Sequence, residues 1–390
     1  AEAAGFNRQR KRRLADSDTL LTVETSKRTI RCAMAPTPTM TASLTATCEA
    51  FARACSATLA LAAPKKVSNN LALQRLAYSM IRERFGLSAN LAIRAVRRVA
   101  AAMTAAKRTG KPPRRFESTS IDYDARIFAY RPADETVSLT VLGGRIHVPL
   151  RLGGYQRAAL AGTRPTSATV VKRGRRWAIH IVVEEPDEPR RDGPPVGIDL
   201  GIRNTAATSL GTLHTGTLRQ RFKAERQRIR SSLQSKSTRG TTAVLRRLAG
   251  AEQRRIRHEN HELSRRLVDE TLKAHAGTIR LERLTGIRQR TRVWNKHSNH
   301  LVAGWSFGQL QQFIAYKAKR RGLAVEYVDP YHTSKECSHC HALGERRVDV
   351  FRCTACGLVL HADLNAARNI ATGGAARRPA RIDRSQCLAS

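Results

Sequence analysis

Two cysteine pairs constrain this chain more than anything else in it: Cys337-Ser-His-Cys340, twelve intervening residues, then Cys353-Thr-Ala-Cys356. Each pair makes a tight knuckle with both sulfurs on one side. Two knuckles at this separation place four thiolates around one tetrahedral ion at about 2.3 Å, the usual arrangement of structural zinc. Rubredoxin-like iron and chance pairing compete with that reading, but the spacing and a reducing compartment favour one zinc ion. Four sulfurs leave no open position, so the ion is expected to hold structure and His339 and His341 to face solvent. Cys32, Cys48, Cys55 and Cys387 are scattered, as free thiols are and a disulfide framework is not.

Charge narrows the partner. Seventy Lys and Arg stand against 31 Asp and Glu in 390 residues, a formal charge of +39 at pH 7. A field of that sign attracts polyanions, and nucleic acid is the expected one. No run approaches the roughly 18 uninterrupted apolar residues of a membrane span, because Glu49 and Arg53 interrupt the Ala-rich stretch over 42–63. No hydrophobic leader follows Ala1, so a cytoplasmic location without membrane contact is expected.

Along the chain, residues 1–25 carry Arg10-Lys11-Arg12-Arg13 and read as a basic arm or an expression remnant with no fold. Residues 27–35 read as one strand, which Pro36 and Pro38 end. Helical texture follows over 41–108, broken at 64–70 and restarted behind Ser88 as an N-cap. After Pro112-Pro113 come short strands at 136–142, 145–150, 168–172 and 177–184, which suit a β-barrel or compact sheet. The Pro-rich, charged stretch 186–195 reads as a linker.

Beyond it, residues 196–202 form an apolar strand interrupted by Asp199, with two more strands at 204–210 and 212–217 completing a meander. Two helices span 219–274 with a break around 231–242. Between Arg219 and Arg257 stand 13 basic and two acidic residues, a one-sided bias that favours polyanion contact over a solvated face. A strand at 278–282 ends on Glu282, a helix covers 307–321, a strand 323–328, and a last helix begins at Ala362-Asp363.

Asp199, Glu282 and Asp363 are thus placed alike, two on apolar strands and one at a helix start. Burying an unpaired carboxylate is expensive, so each position asks for a cation or donors. Taken singly, Asp199 could end a strand, Glu282 could pair with Arg280 or Arg283, and Asp363 could charge a helix N-terminus. Converging, the three would hold two magnesium or manganese ions about 4 Å apart, as two-metal phosphodiesterases do. The order of elements fits an RNase H-like α/β domain.

Gly197-Ile-Asp199-Leu-Gly201 resembles the first RuvC motif, Leu281-Glu282-Arg-Leu the second, and Asp363-Leu-Asn-Ala-Ala-Arg-Asn-Ile the third. With Thr333-Ser-Lys-Glu-Cys337-Ser-His-Cys340 ahead of the third motif, the chain resembles the TnpB (OrfB) family of insertion sequences, related to compact type V CRISPR effectors. The resemblance is strong over 196–370 and one of order alone before that. It implies an N-terminal wedge β-barrel (26–37 and 111–187) carrying a helical recognition unit (38–110), a RuvC-like nuclease domain (195–336 and 357–372), an inserted zinc ribbon (337–356) and a disordered tail (373–390). It also implies RNA-guided cleavage of DNA beside a short adjacent motif, with guide RNA and target DNA as partners. The triad would be Asp199, Glu282 and Asp363, and the zinc ligands Cys337, Cys340, Cys353 and Cys356. A nuclease-inactive guided repressor, or a miniature type V effector with the same chemistry, are the alternatives.

One departure is His341, where a glycine often follows the second cysteine; another is His361-Ala362 before the last aspartate. Candidate nucleic-acid contacts are Arg226, Arg230, Arg288, Arg290, Arg292 and Lys296, the last four in a segment that suits either a lid or a loose loop. Trp294 and Trp305 are candidate stacking residues, and His258, His261, His297 and His300 are expected at the surface.

Overall fold

The computed structural model describes residues 24–236, 238–284, 306–331 and 333–373. The expectations for most of the N-terminal arm, for the tail beyond 373, and for Arg288, Arg290, Trp294, Lys296 and Trp305 lie outside them. So do those for Arg292, His297 and His300. The chain divides into two compact units, Ala1–Pro186 and Asp187–Ser390.

In the first unit, β1 (Thr25–Met34) pairs antiparallel along β7 (Arg176–Pro186), from Thr25 opposite Pro186 to Ala33 opposite Ala178. With β2 (Ser120–Asp124), β3 (Phe128–Arg131), β4 (Thr136–Val141), β5 (Gly144–Arg151) and β6 (Arg164–Arg173) it makes a seven-stranded sheet in the order β2-β6-β7-β1-β5-β4-β3. The sheet curls into a nearly closed barrel, its edge strand β3 returning against β6. Period-two alternation does the sorting: Trp177, Ile179, Ile181 and Val183 of β7 point inward and are buried.

Between β1 and β2 run α1 (Pro38–Ala62), α2 (Asn70–Phe85) and α3 (Ala89–Thr109). Pro38 does not merely end the strand. It occupies the first helical turn, where its missing N–H costs nothing, behind Thr37 as N-cap. Phe51, Leu73, Ile81 and Leu91 bury the helices, and Arg98 anchors α3 to the sheet by donating to Asp122 at 2.7 Å over the face of Phe51. Sequence reading passed over β2, β3 and a short helix, α4 (Gly154–Leu160). Ser-Ile-Asp-Tyr-Asp and Phe-Ala-Tyr-Arg are too short and polar to announce strands, and partner strands define them.

In the second unit, β8 (Pro195–Asp199), β9 (Asn204–Thr208) and β10 (Leu213–Thr215) form the meander. After α5 (Thr217–Lys236) and α6 (Arg239–Lys273) the chain returns as β11 (Thr278–Glu282), parallel to β8 with Leu281 opposite Ile198. Then α7 (Phe307–Arg320) leads to β12 (Ala324–Val328), parallel to β11, giving the order β10-β9-β8-β11-β12. Val196 and Ile198 join Ile279, Leu281, Leu267, Val268, Leu310 and Ile314 in one core. By alternation Gly197 and Asp199 belong to the opposite face. The stretch read as a linker is pinned down, Glu188 N donating to Arg320 O and Arg191 N to Gly322 O.

The chain ends its described course in β13 (Glu345–Arg347), β14 (Val350–Arg352) and β15 (Val359–His361), an antiparallel three-stranded sheet around buried Phe351, followed by α8 (Ala362–Ala371).

Candidate functional site

Parallel pairing of β8 with β11 brings Asp199 and Glu282, the last residues of their strands, to the same end of the sheet. The third carboxylate arrives through a missing side chain. A Cβ on Gly197 would lie 2.1 Å from Ala367 O and 2.3 Å from Ala371 N, so α8 rests directly on the strand backbone. That contact carries Asp363, in the first turn of α8, to the strand ends.

Electrostatics register the convergence. Burial, then the charges of Glu282 and Asp363, push the Asp199 carboxyl well above the usual carboxylate range, against the pull of Arg346. Burial also raises Glu282, opposed by a hydrogen bond from Thr333 Oγ1 to its Oε1. Asp363 is held on both oxygens: Asn204 Nδ2 donates to Oδ2 and Arg346 to Oδ1, each at 2.9 Å. Carboxylates that destabilise one another's charge are the kind of donor a hard divalent cation would compensate, although among the described residues only the four cysteines bring three or more ligand atoms within 4.8 Å of one another.

The four cysteines converge as the spacing predicts. Their sulfurs lie within 4.8 Å of one another, with Cys340 to Cys353 at 3.4 Å and Cys337 to Cys356 at 3.7 Å. A tetrahedron of about 2.3 Å arms has edges of about 3.8 Å, so the cluster has the size zinc needs. Both knuckles close alike, His341 N donating to Cys337 O and Gly357 N to Cys353 O. The Cys356 backbone N–H, more than any other group, holds the Cys353 thiol down to about 6, while the Cys340 and Cys356 thiols beside it are pushed up. His341 departs from glycine yet takes the same left-handed turn, φ +64° against +75° at Gly357. Both His339 and His341 are exposed, as expected.

Three groups escaped sequence reading. Arg346, on β13, reaches Asp363 across the hairpin. Thr333, buried, steadies Glu282. Asn365 and Asn369, inside the third motif but given no role there, bind α8 to the segment before the first knuckle. Asn369 Nδ2 donates to Thr333 O at 2.8 Å and to Glu336 O at 2.7 Å, while Asn365 donates to Glu336 O and accepts from Ser338 N. Two amides four residues apart on an otherwise apolar helix face were the available signal. His261 corrects another expectation. It is half-buried and stacked on Phe313 at 3.8 Å, whereas His258 is exposed.

With this geometry in view, family models match two stretches: one described as a probable transposase (OrfB, IS605 type) over residues 178–288, and a Cas12f1-like TNB domain over 307–370. The chain is similar to TnpB-like and Cas12f1 proteins. It is 33% identical over 238 residues to a CRISPR-associated endodeoxyribonuclease Cas12f1 of Sulfoacidibacillus thermotolerans, covering 54% of each protein. A TnpB-like protein of Methanocaldococcus jannaschii is also 33% identical, over 164 residues that cover 42% of this chain and 58% of that one. The chain thus spans a little over half the length of these relatives. A solved Cas12f1–sgRNA–target DNA complex shares the fold, with a TM-score of 0.65 at 14% identity, covering 85% of this chain and 82% of the other. Among the described residues no helix is long and apolar enough to cross a membrane.

Proposed function

We propose that this chain is an RNA-guided DNA endonuclease with a RuvC-like site formed by Asp199, Glu282 and Asp363. The observation that carries the reading is the convergence of carboxylates from β8, β11 and α8, close enough that Glu282 and Asp363 raise Asp199. The strand order, a three-strand antiparallel meander followed by two parallel strands, supports an RNase H-like domain over 195–336 and 357–372. In this reading residues 337–356 are a zinc ribbon, 26–37 with 111–187 a wedge barrel, and 38–110 a recognition unit.

Magnesium or manganese ions held by the triad would supply Lewis acidity and an activated water for phosphodiester hydrolysis. The protein's own part is positioning. Thr333 orients Glu282, Asn204 orients Asp363, and Arg346 brings a guanidinium to the same cluster, where it can meet phosphate oxygens. The four cysteines, with zinc, fix the hairpin that carries Arg346. Asn365 and Asn369 lock that hairpin's entry to α8, so the ribbon and the third carboxylate move as one body.

The protein should copurify with a structured RNA and, loaded with it, cut a guide-matched plasmid in magnesium. Asp199→Ala should bind the target and leave it whole. Equal cutting by wild type and Asp199→Ala refutes the assignment.

A further inference from the structure

The hairpin of β13 and β14 closes through a two-residue loop, Val348-Asp349, between the paired residues Arg347 and Val350. Of the two loop positions only the first takes a positive φ, +53° at Val348. Glycine is the usual occupant of that position in such a loop, because any Cβ there crowds the backbone. Valine suits it worst, since a branched Cβ makes the left-handed conformation a genuine outlier. Among the described residues five non-glycines have a positive φ, and of these only Val348 is β-branched.

Packing of the valine itself does not offset the strain, for its side chain is 66% exposed. The neighbours on either side impose it. Asp349 O accepts from Ala362 N at 2.8 Å, and Asp349 Oδ2 accepts from Arg203 Nη1 at 2.7 Å, which ties the loop to the start of α8 and to the entry of β9. On the other side Arg346 stands opposite Phe351, so the two share the face of the sheet that covers Ala362. Arg346 Nε donates to Val348 O at 3.3 Å while its Nη2 donates to Asp363 Oδ1 at 2.9 Å. The carbonyl of the strained residue therefore holds the same guanidinium that reaches the third carboxylate. An arginine loses much rotamer freedom when fixed, and a bond to a stiff turn leaves less of it to be ordered. A valine at positive φ has one narrow well, whereas glycine there has several. Strain of this kind persists where the surroundings enforce it and it pre-organises a working group.

Resting on the endonuclease reading, we propose that Val348 is a positioning residue: its left-handed turn fixes the carbonyl that aims Arg346 at Asp363, at a cost in stability. The test compares Val348→Gly, Val348→Ile and His341→Gly in the full chain loaded with guide RNA. Val348→Gly should melt a few degrees above wild type, yet cut guide-matched DNA about tenfold more slowly at saturation, with KM for the target unchanged. Val348→Ile should cut at the wild-type rate. His341→Gly, which relieves another left-handed residue near the cysteines without touching Arg346, should melt higher and keep its rate. In an Arg346→Ala background Val348→Gly should slow cutting no further, because the group it aims is gone. A turn that only closes the hairpin would leave Val348→Gly at the wild-type rate, and that result overturns the proposal. A tenfold loss that persists in the Arg346→Ala background overturns it too, as does Val348→Gly melting no higher than wild type. If wild type cuts under guide and Val348→Gly cuts equally, positioning alone fails; if wild type cuts no more than Asp199→Ala, both readings fail.

Discussion

Gly197→Ala tests whether the third carboxylate is positioned by backbone contact. The added methyl would sit 2.1 Å from Ala367 O, and ordinary contact begins near 3.4 Å, so α8 must retreat by roughly 1.3 Å or the strand must bend. Both partners are backbone atoms, and no side-chain rotation relieves the clash. Overpacking of this kind costs about 1–3 kcal/mol. The larger effect is on chemistry, because α8 carries Asp363 and a misplacement near 1 Å can cost about a hundredfold in rate. Guided cleavage should therefore fall about a hundredfold while zinc content stays at wild type and unfolding shifts by a few degrees. Gly308→Ala, where the added methyl meets nothing within 4 Å, is the control and should leave cutting intact. A Gly197→Ala enzyme that cuts at wild-type rate would refute the reasoning.

Further outcomes follow from the same geometry. Cys353→Ser should lose bound zinc by elemental analysis and destabilise the second unit by a few kcal/mol; undiminished zinc would contradict the ligand assignment. Asn369→Ala leaves the Thr333 carbonyl without its donor, so stability should drop by about 1–3 kcal/mol and cleavage should fall with it, as the support of Glu282 loosens. Because the Asp199 carboxyl is raised in the fold, its ionised form costs stability above that raised value, and the cost fades as pH falls through it. Asp199→Asn in chelator should therefore melt higher than wild type at pH 8, the gap closing toward pH 4, and a pH-independent gap would sink that account. His341→Gly relieves a left-handed non-glycine residue and should stabilise the second unit by about 1 kcal/mol in chemical denaturation.

Local sequence determined a good deal here. The cysteine spacing alone set the knuckles, because ligand geometry is encoded within a few residues of each turn. Asp199 and Glu282 announced themselves as charges at the ends of apolar runs, which burial makes costly and therefore conspicuous. The helix breaks and most strands were equally legible from proline, glycine and periodicity. Tertiary structure decided the rest, since it depends on which distant segments meet. Arg346 looks like any other arginine until the hairpin folds and lays it on Asp363. Gly197 matters only because α8 comes down on it, and Thr333 only because Asn369 holds its carbonyl while its hydroxyl meets Glu282. Among the many arginines of α5 and α6, composition could not say that Arg226 lies over Phe222, that Arg230 pairs with Glu252, or which others remain outside. Only the packing of one helix on the other separates them.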